Sequence, residues 1–218
     1  MSGLDFLNEI AGLFPNQSPD HNDNRFAFLA TTSKCELALR DEIAFRLQRK
    51  YLEPQNAPAF FPGAFYISRE WEKRYDLAIL KPTGEAACIV EFKAVATADK
   101  IKDHAAEIRK DFEKLVNDPE IAEAQKYVIL VVMLPEGKFA DPVVAVMKKY
   151  LQRINRQFES GRKPDGQKYF DEDWKRLLKG QGIKTTDPEG VRRITIDAGS
   201  YAGTGIKLDL FTAGPLVK

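Results

Sequence analysis

The stretch "REWEKRYDLAILKPTGEAACIVEFKA", Arg69 to Ala94, decides how this chain is read. Two runs of β-forming residues, at about 74–81 and 86–95, flank "KPTGE", whose Pro and Gly mark a turn, so the stretch reads as a hairpin. With Thr83 and Gly84 as the central residues of a two-residue turn, Asp76 lies directly across from Glu91. Strand side chains alternate with period two, so Lys93 shares the face of Glu91. A slip of one residue would send the two acids to opposite faces.

Facing carboxylates on neighbouring strands repel, and burial makes an unpaired charge costlier still. Yet Ile89 and Val95 flank Glu91 and Lys93 on their own face, while Val90, Phe92 and Ala94 fill the other, as in a central strand. Positive charge has to lie with the acids. Lys93 supplies one charge. A divalent cation with oxygen ligands supplies two, and Mg²⁺ would keep several waters. A third acid is expected from the helix that precedes the strands. Glu36 lies on the stripe of Leu39 and Ile43 that faces the core, whereas Glu42 is more peripheral and stands in reserve. Glu70 has the parity of Asp76 and is a candidate outer ligand.

Outward from the hairpin, Leu4, Leu7, Ile10, Ala11 and Phe14 recur at helical spacing, giving an N-terminal arm that packs on the body or on a second copy. Thr31, Thr32 or Ser33 is expected to cap a helix running to about Tyr51, with Leu39, Ile43 and Leu47 on one face. A strand at about 64–70 precedes the hairpin, and a helix over about 100–117 follows it, striped by Ile101, Ala105, Ile108, Phe112 and Leu115. "KYVILVVML", Lys126 to Leu134, reads as a strand buried on both faces. Asp141 and Pro142 open a helix to about Phe158, a short helix is expected near Trp174–Lys179, and "RRITIDAGSYAGTGIKLDLF" closes the chain as a hairpin with glycines at its turn. The expected class is α/β, a mixed central sheet flanked by helices. Residues 1–24 form the arm and loop, 25–160 the core, and 161–218 an extension of the same domain.

The family this pattern resembles is the PD-(D/E)XK nuclease superfamily, with its restriction-endonuclease-like fold. "YDLAIL", then "IVEFKA" after a short hairpin, preceded by a helix carrying "CELALRDEIAFRL", is similar to its motif, and the order helix, three strands, helix, strand is similar to its core over roughly residues 31–135. The resemblance makes Asp76 the motif aspartate, Glu91 the second acid, Lys93 the motif lysine and Glu36 the acid of the first helix. Tyr75 stands where the name-giving proline would be. It implies Mg²⁺-dependent cleavage of a nucleic-acid phosphodiester, DNA before RNA, with Mn²⁺ as a substitute. Asp76, Glu91, Glu36 and the backbone carbonyl of Phe92 would hold the ion, and Lys93 would orient water or stabilise the pentacovalent phosphate. Many members are dimers, so a homodimer is a further expectation.

Composition narrows the alternatives. With 218 residues the chain can bury a substantial core, and no apolar run approaches the roughly 20 residues that span a bilayer. The first residues carry no basic leader, and Cys35 and Cys88 stand unpaired in spacing, so a reduced, cytoplasmic protein without a membrane partner is expected. The two histidines, His21 and His104, give no basis for a His-rich zinc site or a Ser–His–Asp triad, and His104 reads as a half-buried surface residue. "GSYAGTGIK" lacks the Gly-Lys-Ser/Thr of a phosphate-binding loop. Net charge is only +1, but residues 148–179 hold ten Lys/Arg against five Asp/Glu. Lys148, Lys149, Arg153 and Arg156 fit either a phosphate backbone or a solvated helix face. The rival to a nuclease is a binding or assembly module on the same scaffold, with the acids silent.

Overall fold

In the computed structural model, which describes residues 4–13, 24–32, 35–52, 66–72, 74–95, 98–140, 144, 148–186 and 188–217, the apolar run beginning at Lys126 lies at the middle of a mixed sheet. Helices α1 (Leu4–Leu13), α2 (Arg25–Thr32) and α3 (Glu36–Leu52) precede strands β1 (Tyr66–Trp71), β2 (Tyr75–Leu80) and β3 (Ala86–Val95). A 3-10 stretch, Ala98–His104, leads into α4 (Ala105–Asn117), which carries the chain to β4 (Gln125–Pro135). Helix α5 (Lys148–Glu159), a helical segment over 166–180, and strands β5 (Lys184–Thr185), β6 (Arg193–Tyr201), β7 (Thr204–Ala213) and β8 (Leu216–Val217) complete it. The six-stranded sheet has the order β1-β2-β3-β4-β7-β6. β3 and β4 run parallel, as the intervening α4 crossover requires, and the other neighbours are antiparallel.

Strand β4 is apolar throughout because its residues alternate between two cores. Tyr127, Ile129 and Val131 join Val90 and Phe92 beneath α1, α2, α3 and the Leu151/Ile154 side of α5. Val128, Leu130 and Val132 join Ile89 and Val95 beneath Ile108, Phe112 and Leu115 of α4, with Phe170 and Trp174 beyond. The Trp174 indole N–H is satisfied by the carbonyl of Thr212 at 3.1 Å, which lets so large a ring be fully buried. The N-terminal arm packs on the body, with the Phe6 ring 4.8 Å from that of Tyr127.

Several local expectations change. Residues 25–32 form a helix of their own, and Thr31 sits inside it with its hydroxyl donating to the Ala27 carbonyl at 2.7 Å, so Thr31 does not cap α3. The short helix expected near Trp174 is longer, an α–π–α segment. The closing hairpin is a hairpin, and it adds two strands to the central sheet beside β4. Its turn takes positive φ at both Ala202 (50°) and Gly203 (79°), the geometry that matches the twist of paired strands. Phe14, Ser33, Asp141 and Pro142 lie outside the described residues. Among the described residues, no helix is long and apolar enough to cross a membrane.

Candidate active site

The β2–β3 hairpin places Asp76 and Glu91, though not through the turn expected. Lys81 donates to the Glu85 carbonyl at 2.8 Å and Gly84 to the Lys81 carbonyl at 2.9 Å, so the loop spans 81–85, with Gly84 at φ 87°. A bulge between Ile79 and Leu80 absorbs the difference. Beyond it Ile79 pairs with Cys88, Ala78 with Ile89 and Leu77 with Val90, where the pairing ends; the same register continued by one residue would set Asp76 across from Glu91.

Past Leu77 and Val90 carboxylates satisfy the inner strand. The Phe92 N–H donates to Asp76 Oδ2 at 2.8 Å, and the Ala94 N–H donates to Glu36 Oε2 at 2.8 Å. Charge-assisted bonds of this kind satisfy amide groups that would otherwise be costly to bury. Glu36 is the first residue of α3, where the helix dipole also favours a carboxylate. The Phe92 ring is buried in the core; its carbonyl leaves the strand on the same side as its amide, toward Asp76.

Glu91 is almost fully buried, and its Oε1 accepts from Lys114 Nζ of α4 at 2.5 Å. Burial pushes its carboxyl up to about 8; Asp76 adds to the rise and Lys114 opposes it. Asp111, one turn before Lys114, is also raised, first by burial, with Asp76 and Glu36 among the charges that reach it and Lys93 and Lys114 opposing. Lys93 Nζ lies 2.8 Å from Glu107, also on α4. Burial disfavours the Lys93 ammonium, but Glu107, Asp111 and Glu36 more than offset that and raise it. Glu107 in turn is lowered to about 2 by the hydrogen bond from Lys93 and then by His104.

Two further clusters frame these groups. The buried Arg40 guanidinium lies 2.8 Å from Asp41, 3.2 Å from Glu70 and 4.0 Å from Asp76. Glu70, at φ 53°, pairs with Arg40, which in turn approaches Asp76. On the other side the Tyr75 hydroxyl donates to Asp118, which pairs with Arg74 at 2.7 Å. Lys114 Nζ sits 4.6 Å from the Tyr75 ring centroid and donates to the Arg74 carbonyl.

Asp76, Glu91, Lys93 and Glu36 thus gather around the second half of β3. Glu42 does not join them, being held by Arg25 at 2.9 Å and Arg46 at 2.7 Å. Arg153 and Arg156 are exposed on α5, a helix that packs on the sheet face opposite Glu91; only the backbone of Lys148 and Lys149 is described. Sequence reasoning missed Lys114, Asp111, Glu107 and Arg40. Glu107, Asp111 and Lys114 do form an i, i+4, i+7 row beside the apolar stripe of α4, and that row was the available signal.

Among the described residues, no three His, Cys, Asp or Glu side chains converge as a metal-holding group. The donor chemistry of Asp76 and Glu91 nevertheless fits a hydrated Mg²⁺, which takes one or two carboxylates and fills its octahedron with water. No family model matches the chain, and no curated protein or solved structure is significantly similar to it.

Proposed function

We propose that this chain is a divalent-metal-dependent nuclease of restriction-endonuclease-like fold, hydrolysing phosphodiester bonds in nucleic acid, with DNA the favoured substrate. One observation carries the proposal: two acids close together on adjoining strands, one deeply buried with its carboxyl pushed upward, with lysines on either side. A buried carboxylate with a second, half-buried one beside it has no evident packing benefit and is typical of sites that do chemistry. Asp76 and Glu91 would hold Mg²⁺, with the Phe92 carbonyl directed to the same place. The bound ion would supply a water of lowered pKa and offset charge on the scissile phosphate. Lys93, released from Glu107, would donate to the attacking water or to a phosphoryl oxygen. Glu36 fixes the open edge of β3, and the Arg40 guanidinium lies 4.0 Å from Asp76.

Incubation with supercoiled plasmid plus Mg²⁺ or Mn²⁺ tests the proposal. Cutting that needs the metal and is lost in Asp76→Ala supports it; cutting that persists in the variant rejects it. A second reading, a binding module on the same scaffold, is favoured by one fact: α4 already neutralises both motif residues, Glu91 through Lys114 and Lys93 through Glu107. No metal-dependent cutting and no metal uptake by the wild-type protein is the outcome that selects it.

A further inference from the structure

Helix α4 meets strand β3 through two ion pairs of opposite sense: strand Lys93 with helix Glu107 at 2.8 Å, and strand Glu91 with helix Lys114 at 2.5 Å. The spacings do not match. Two residues on a strand advance about 6.6 Å, whereas the seven residues from Glu107 to Lys114 advance about 10 Å along a helix. Long, flexible side chains bridge the difference, and Lys114 is held by more than its ion pair. Its ammonium lies 4.6 Å from the Tyr75 ring centroid and donates to the Arg74 carbonyl as well as to Glu91. A carboxylate, a carbonyl oxygen and an aromatic face, all from β2, β3 and the turn before them, together make a seat for a cation. Lys114 keeps about a third of its side chain in solvent (31%), so its head can leave that seat without disturbing the core.

We propose that Lys114 is the resident cation of the Asp76–Glu91 pair, the group that an incoming divalent ion displaces. The inference rests on reading that pair as the metal site. An ammonium and a divalent ion cannot both lie against Glu91 without strong repulsion, so they compete, and metal affinity is set by the difference between the two occupancies. Lys114 is then a positioning residue with two states. Seated, it compensates a buried carboxylate. Released, it stands beside the site as a free ammonium.

Calorimetric titration of the full chain with Mn²⁺ tests this without reference to turnover. Lys114→Met keeps the aliphatic stem and removes the competitor, so it should bind Mn²⁺ about tenfold more tightly, the worth of one charge-assisted hydrogen bond. Lys114→Arg, which keeps the charge, should stay near wild type, and Glu91→Gln should lose binding. Wild-type binding that Glu91→Gln abolishes, with Lys114→Met no tighter, overturns the inference alone. Absence of Mn²⁺ binding in both the wild type and a folded Lys114→Met overturns it together with the metal-site assignment. Because Lys114→Met leaves Glu91 without its counter-ion and can fail to fold, a second readout uses the wild type. With lysine ε-carbons labelled and the signal assigned by Lys114→Arg, the Lys114 resonance should shift saturably with Mg²⁺, and an unmoved resonance overturns the proposal.

Discussion

Two buried carboxylates face the same side of the sheet on the strands that flank β4: Glu91 on β3 and Asp209 on β7. Asp209 is fully buried, and both of its partners come from the neighbouring strand β6, Arg193 Nε at 2.6 Å and Thr195 Oγ1 at 2.8 Å. Thr195 is its direct cross-strand neighbour, so strand register alone assembles that cluster. Gly166 closes it; a Cβ there would lie 1.9 Å from Asp209 Oδ2. Glu91 has no such enclosure. Its partner is an ammonium from a helix, a second acid lies across the hairpin, and its carboxyl is pushed upward. A carboxylate satisfied by a rigid guanidinium and a hydroxyl is built to stay as it is. One satisfied by a single flexible ammonium is built to exchange partners.

Substitutions should separate the two. Asp209→Ala leaves the half-buried Arg193 guanidinium without its carboxylate and should cost about 3 kcal/mol of stability, the low end for breaking a buried pair. Chemical denaturation would show it, while Mn²⁺ binding by the still-folded fraction stays at the wild-type value. Loss of metal binding there would break the contrast. Glu91→Gln should do the reverse, abolishing metal binding and cleavage while changing stability in a pH-dependent way. A carboxyl raised to about 8 in the folded state holds its proton where the unfolded chain has released it, so stability falls as pH rises from the unfolded carboxyl range to about 8. Lys114, Asp76 and Tyr75 are the charged and titratable groups that reach it and set the size of the effect. Glu91→Gln removes this decline, so its stability relative to wild type should climb across that window by roughly a few kcal/mol. A pH-independent difference would show that Glu91 ionises freely. Next in size, Tyr75→Phe should cost about 1–2 kcal/mol through the hydroxyl lost to Asp118.

The contrast also explains what could be read in advance. Period-two alternation places Glu91 and Lys93 on one face of β3 from sequence alone, and the apolar length of β4 declares a strand buried on both sides. Asp76 was set opposite Glu91 by assuming a two-residue turn; the structure pairs the adjoining residues, Leu77 with Val90, through a longer loop and a bulge, a compensation that residue types do not announce. Glu36 was legible because it shares a helical stripe with Leu39 and Ile43, both fully buried. Lys114, Asp111 and Arg40 were not, because which polar row of a helix meets which strand residue depends on docking angle and depth. Helix α2 was missed for a related reason. Its "RFAFLATT" has too few polar residues to show a period, and it is held by packing on the sheet, Phe28 against Tyr201 at 5.6 Å among its contacts. The hydrogen bond from the Ser200 N–H to Asn24, 176 positions away, fixes the start of that helix and has no sequence signature.

The smallest effect on stability should come from Glu107, and it sharpens the comparison most at the lysine. Glu107 is half exposed, and pairs of that kind contribute under about 1 kcal/mol in water, so Glu107→Gln should barely move a denaturation midpoint. Its carboxyl is lowered to about 2 by Lys93 and His104, so whatever it contributes is present above the ordinary carboxylate range and fades only as pH falls toward 2. Near neutral pH the pair is intact, and its consequence is positional: Glu107 holds the ammonium of Lys93 against α4. If Lys93 works on the phosphate, freeing it should leave Mn²⁺ affinity unchanged and raise the rate of plasmid cutting, while Lys93→Met keeps the metal and stops turnover. Should Glu107→Gln instead slow cutting as severely as Lys93→Met, the ion pair itself is part of the working site, and Lys93 acts from where Glu107 holds it.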